Sequence, residues 1–101
     1  MVSKLLRDTK ALLGEHWVAH IKLQAVTPDK TRPDGFKLNC VLLDKRTNQA
    51  VLILDNHTPF GYHIHPQAST DHNLREEIVV ASPYEAIDVF FSRAKEIAHE
   101  K

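Results

Sequence analysis

Four of the seven histidines, His57, His63, His65 and His72, fall in one polar stretch that opens Asp55-Asn56-His57-Thr58-Pro59-Phe60-Gly61-Tyr62-His63-Ile64-His65-Pro66. Imidazole is available in both protonation states near neutral pH, so such a cluster is equipped for proton transfer. His63 and His65 are two apart, and in extended backbone they project from one face while Ile64 turns the other way. Two imidazoles so placed can work on one phosphodiester: a neutral ring takes the proton of a ribose 2′-hydroxyl, and a protonated ring gives one to the leaving 5′-oxygen. Arg75 offers a guanidinium fork to the phosphate, and Asp55 or His57 can orient or replace one imidazole. The same residues permit a second chemistry, because His57, His63, His65 and Asp55 supply nitrogen and oxygen ligands of the kind zinc accepts. A third reading gives them none: Asp55-Asn56 and Pro59-Phe60-Gly61 make turns, and the histidines are solvated.

Other chemistries find no residues to carry them. Cys40 is the single cysteine and lies in the apolar run Leu38-Asn39-Cys40-Val41-Leu42-Leu43, where a thiol behaves as a small buried hydrophobe. One cysteine makes no intramolecular disulfide, and charges interrupt the N-terminal residues before any signal-like apolar segment builds up, so the expected location is the cytoplasm. The three glycines form no phosphate loop, and there is no Gly-x-Ser-x-Gly. Thirteen Lys and Arg balance thirteen Asp and Glu, which removes the basic excess usual in a passive nucleic-acid clamp but leaves room for a local patch from Lys30, Arg32, Lys37, Lys45, Arg46 and Arg75. His16, His20 and His99 lie outside the cluster and read as surface residues.

The elements that must hold this stretch are readable from periodicity. At 101 residues the chain suits one domain, residues 1–101. Leu5, Leu6, Thr9, Leu12 and Leu13 recur at helical spacing, with Ser3 as a cap and Gly14 as a stop, predicting a helix over 3–13. From Trp17 the period becomes two: Trp17, Ala19, Ile21, Leu23 and Ala25 share one face of a strand, with His20, Lys22 and Gln24 on the other. Residues 28–35 read as an exposed loop. The apolar runs 37–44 and 49–54, joined by Lys45-Arg46-Thr47-Asn48, pair as a hairpin, and 77–81 adds a last short strand. Ser82-Pro83-Tyr84-Glu85 then starts a helix to about Glu100, whose stripe is Tyr84, Ile87, Phe90, Phe91, Ala94, Ile97 and Ala98. The expected class is α+β, an antiparallel sheet of about four strands packed against N- and C-terminal helices.

In this order the motifs resemble the TumE-like family of small toxins encoded beside an antitoxin. The likeness covers most of the chain after about residue 15: an alternating strand, an apolar hairpin ending in Asp55-Asn56, a glycine followed by His63-Ile64-His65, an Arg75-Glu76-Glu77 segment and a C-terminal amphipathic helix. Family members often read Gly-Asp-His-Arg-His where this chain has Gly61-Tyr62-His63-Ile64-His65, so an acidic and a basic residue are both replaced, and Arg75 is the substitute cation. The resemblance implies the toxin of a type II toxin–antitoxin system that cleaves RNA; taken with the His63/His65 acid–base pair, the expected function is a metal-independent endoribonuclease without a cofactor. Its partners would be a cognate antitoxin protein and an RNA substrate, with no membrane and with self-association left open. Asp55, His63 and His65 are the positions that match. Against this stand a noncatalytic protein-interaction module and a metal-dependent His/Asp site.

Overall fold

A computed structural model describes residues 4–28, 30, 34–56, 61–66 and 76–100. Among them, strands β1 (Lys4–Leu12), β2 (Trp17–Ala25), β3 (Phe36–Asp44), β4 (Gln49–Asp55), β5 (His63–Pro66) and β6 (Glu76–Glu77) precede the helix α1 (Pro83–Glu100). The strands make one antiparallel sheet in the order β1-β2-β3-β4-β5-β6, with α1 packed on β2 and β3. This is α+β, with six strands rather than four.

The sheet buries one face because alternate residues carry its apolar side chains. Ile21, Cys40, Leu54 and Ile64 lie side by side across four strands, each fully buried. Ala86, Ile87, Phe90 and Ala94 of α1 close over them, with Phe90 completely enclosed. The helix starts where the sequence places its signals: Glu85 N–H donates to Ser82 Oγ at 3.2 Å, and Pro83 occupies the first helical position. Tyr84 is exposed rather than part of the stripe, since it lies roughly a quarter-turn round the helix from the buried row. No helix among the described residues is long and apolar enough to cross a membrane.

The expected N-terminal helix is instead strand β1, antiparallel to β2. Its register sets Thr9 opposite Ile21 and Ala11 opposite Ala19, so β1 extends the covered face with small residues while Leu5, Leu6 and Leu12 stay exposed. A bulge between Leu5 and Arg7 allows the adjacent leucines that gave the helical spacing. Gly14, at φ 86°, is not a helix stop but supplies a left-handed residue to the turn between β1 and β2. The last strand expected over 77–81 is shorter and starts one residue earlier: only Glu76–Glu77 pairs with β5, and 78–81 are not strand.

At one end of the sheet Arg46 and Asp44 form a forked pair, Nε to Oδ1 at 3.0 Å and Nη2 to Oδ2 at 3.2 Å, while the guanidinium sits 5.4 Å from the centre of the Trp17 ring. The side-chain hydrogen bonds from Arg46 hold the Asp44 carboxyl below its ordinary value. A carboxyl so lowered stabilises the fold above its unfolded-state pKa, about 4, and that contribution disappears as pH falls through the folded-state value. Asp44→Asn should therefore lower Tm at pH 7, and the gap from the parent should close as both are melted at successively lower pH below about 4.

Candidate functional site

The second face of the sheet is set by the same alternation. Across it the register runs Asp8, Lys22, Asn39, Asp55, His63, Glu77 in one row and Lys10, His20, Val41, Ile53, His65 in the next. The two histidines thus come to one face because β5 is extended, and Asp55 comes to them because it is directly opposite His63 in the β4–β5 pairing. Ile64 faces the core, as its position between them requires.

The Asp55 carboxylate turns one oxygen toward each ring. Its Oδ1 is 2.9 Å from His63 Nε2, and its Oδ2 is 3.7 Å from His65 Nε2, the latter too long for a direct hydrogen bond. The rings meet edge to face, with centroids 4.7 Å apart and planes at 77°. On its other side His63 Nδ1 is 2.8 Å from the Gly61 carbonyl oxygen, which can only accept, so Nδ1 carries the proton. Gly61 adopts φ 61°, a left-handed conformation natural to glycine, just before the strand. His63 is 2% exposed and both its ring nitrogens face oxygen. The His65 side chain is 15% exposed, and its buried Nδ1 has no hydrogen-bond partner among the described residues.

The end of β4 is held by Asn56, whose side chain acts as a surrogate peptide. Its Oδ1 accepts from Leu38 N–H at 3.0 Å and its Nδ2 donates to the Phe36 carbonyl at 2.7 Å, continuing the contact with β3 after the last backbone pair, Asn39 with Asp55. Asn56→Ala leaves a buried N–H and a carbonyl without their partner and should cost about 1–3 kcal/mol in urea unfolding. Tyr62 ties the other flank, its hydroxyl donating to Asp34 Oδ2 at 2.6 Å. Burial, then the hydrogen bond to Asp34, push the Tyr62 phenol well above its ordinary pKa, which fixes it as a donor.

Of the residues singled out from sequence, Asp55, His63 and His65 are brought together, whereas Arg75 and His57 lie outside the described residues. Burial pushes the Cys40 thiol up to about 12, in keeping with a packing role. Lys37 shares the site's face, but Arg46 does not belong to it: β4 separates the turn at 45–48 from Asp55 by about 20 Å at strand rise. A pocket of about 490 Å³ lined by Trp17, Asp44, Arg46 and Ile97 lies at that distant end, where its charged groups already satisfy one another. Lys10, Lys22 and Glu77 join the site's face through strand register alone, a relation that single-segment reading does not reveal. His20 is paired to Asp8 at 2.6 Å, half-exposed, rather than simply solvated.

No known protein family, characterised protein or solved structure matches the chain.

Proposed function

We propose that the chain is the toxin of a type II toxin–antitoxin pair of the TumE-like kind, acting on RNA in the cytoplasm as a metal-independent endoribonuclease. The observation that carries this reading is the carboxylate of Asp55 facing two adjacent imidazoles on a sheet face that also bears Lys10, Lys22 and Lys37. In this reading the lysines meet phosphates, although the chain as a whole has no basic excess, and the negative charge of Asp8 is engaged by His20. His65 is the ring with room to act, exchanging a proton with the 2′-hydroxyl or the leaving oxygen. His63, held from both sides, is the positioning partner that keeps Asp55 and the β4–β5 hairpin in place. Arg75 and His57 are assigned to the phosphate and to orientation on the strength of their sequence positions.

The test is expression of the chain alone and beside the protein encoded next to it, with growth and RNA integrity followed, and incubation of the purified chain with RNA in excess chelator. Growth arrest and RNA cleavage relieved by the neighbour support the reading, as does turnover that persists in chelator. A stable complex with the neighbour but intact RNA in every arm assigns the chain to the interaction modules instead.

A further inference from the structure

We infer that Asp55, His63 and His65 also form a binding site for a divalent transition-metal ion of the zinc class. One donor atom from each residue lies within 4.8 Å of the others, and Asp55 Oδ1 and His63 Nε2 are 2.9 Å apart. Ligands about 2.0–2.2 Å from a zinc ion stand about 3.3 Å apart in tetrahedral geometry, so sub-ångström to one-ångström side-chain adjustments bring the three around one centre.

The surroundings of His63 add an independent reason. With Nδ1–H committed to the Gly61 carbonyl, a neutral ring turns the lone pair of Nε2 toward the carboxylate, and two electron-rich atoms in contact need a cation between them. A proton meets that need as an imidazolium pair, and a metal ion meets it equally. A backbone carbonyl on the far nitrogen is also the usual device that fixes the tautomer and aim of a metal-bound histidine. His65, whose Nε2 makes no hydrogen bond to Asp55 and whose Nδ1 has no partner among the described residues, is the third donor. Two imidazoles and one carboxylate favour zinc or its neighbours in the transition series over magnesium or calcium, which take oxygen sets. Three protein ligands leave the remaining coordination positions of the ion to solvent.

Such an ion uses the same lone pairs that proton transfer requires. Metal binding therefore silences RNA cleavage, a regulatory consequence that rests on the ribonuclease reading; the binding itself does not.

The experiment is calorimetric titration of Zn²⁺ into the full chain stripped with chelator, with melting curves alongside and Mg²⁺ as the comparison ion. Saturable binding of one equivalent of Zn²⁺ is expected, with a Tm rise of about 10 °C or more at free zinc near 100 Kd and no response to Mg²⁺. Asp55→Asn and His65→Gln should each weaken binding by about 100-fold or more, since even the partners of metal ligands are worth 10–100-fold, whereas His99→Ala, on the exposed face of α1, should bind as the parent does. His63 is buried, so its replacement is not relied on; circular dichroism without metal verifies that the other two variants are folded. The proposal is overturned if the parent shows no saturable equimolar binding, or if the folded Asp55→Asn and His65→Gln proteins retain it. Cleavage of RNA by the metal-free chain is scored separately, so failure of zinc binding and failure of the ribonuclease reading give different results.

Discussion

On the proposed ribonuclease reading, His65→Ala is expected to lower RNA cleavage by about 10²–10⁴-fold while the protein stays folded. The size follows from removing a general acid or base whose work water does poorly. Retention of the fold follows from what the ring does in the structure: it makes no hydrogen bond to Asp55 at 3.7 Å, and its buried Nδ1 has no partner among the described residues, so truncation breaks no hydrogen bond among them. The core face of β5 is untouched, because Ile64 points the opposite way. The measurement is kcat/KM on an RNA substrate in chelator, with thermal melting of the same sample. A folded variant that cleaves within a few-fold of the parent would remove His65 from the chemistry. His63→Ala is the informative contrast, since a buried ring with both nitrogens facing oxygen is lost and both stability and activity should fall.

The second large effect is structural. Ile64→Ala should destabilise the domain by about 2–5 kcal/mol, read as a fall in the urea midpoint at unchanged slope. Ile64 is fully buried beside Leu54 and is the apolar anchor of a four-residue strand whose neighbours His63 and His65 face the other way. Without it β5 loses its hold on the core, and the spacing of the two imidazoles from Asp55 is lost with it. Ile64→Val, which removes one methylene, should cost about 0.5–1.5 kcal/mol and leave cleavage nearly intact. Glu76, directly across from Ile64, is met by the guanidinium of Arg93 from α1, so the carboxylate on that face has a cation from a different element.

What was legible in the sequence tracks how strongly burial constrains each segment. The alternation from Trp17 to Ala25 is plain because α1 covers one side of β2 and leaves the other to His20, Lys22 and Gln24. The helix from Pro83 was marked by its cap and its stripe, apart from Tyr84. β1 was not legible: its half-buried face is made by Arg7, Thr9 and Ala11 rather than by large apolar residues, its three leucines are exposed, and the bulge between Leu5 and Arg7 breaks the period of two. β5 is too short for periodicity to identify, although the His-x-His spacing correctly placed both rings on one face. The pairing of Asp55 with His63 depends on hairpin register, and Asn56, which reads as a turn residue, is instead a bridge to β3 that only the neighbouring strand explains.

In the meander each strand pairs only with its neighbours in sequence, so the ladder forms from contacts of short sequence separation. Such a chain has a low contact order for a β-rich protein and is expected to fold quickly for its class. The histidine-bearing strand is four residues long and its outer neighbour two, against nine for β2 and β3. Amides of 63–65 should therefore exchange with solvent through a local opening that leaves the β2–β3 ladder closed. The two histidines are thus carried by a short strand near the edge of the sheet, and a partner that captured this strand in its open form would part them from Asp55 without unfolding the β2–β3 ladder.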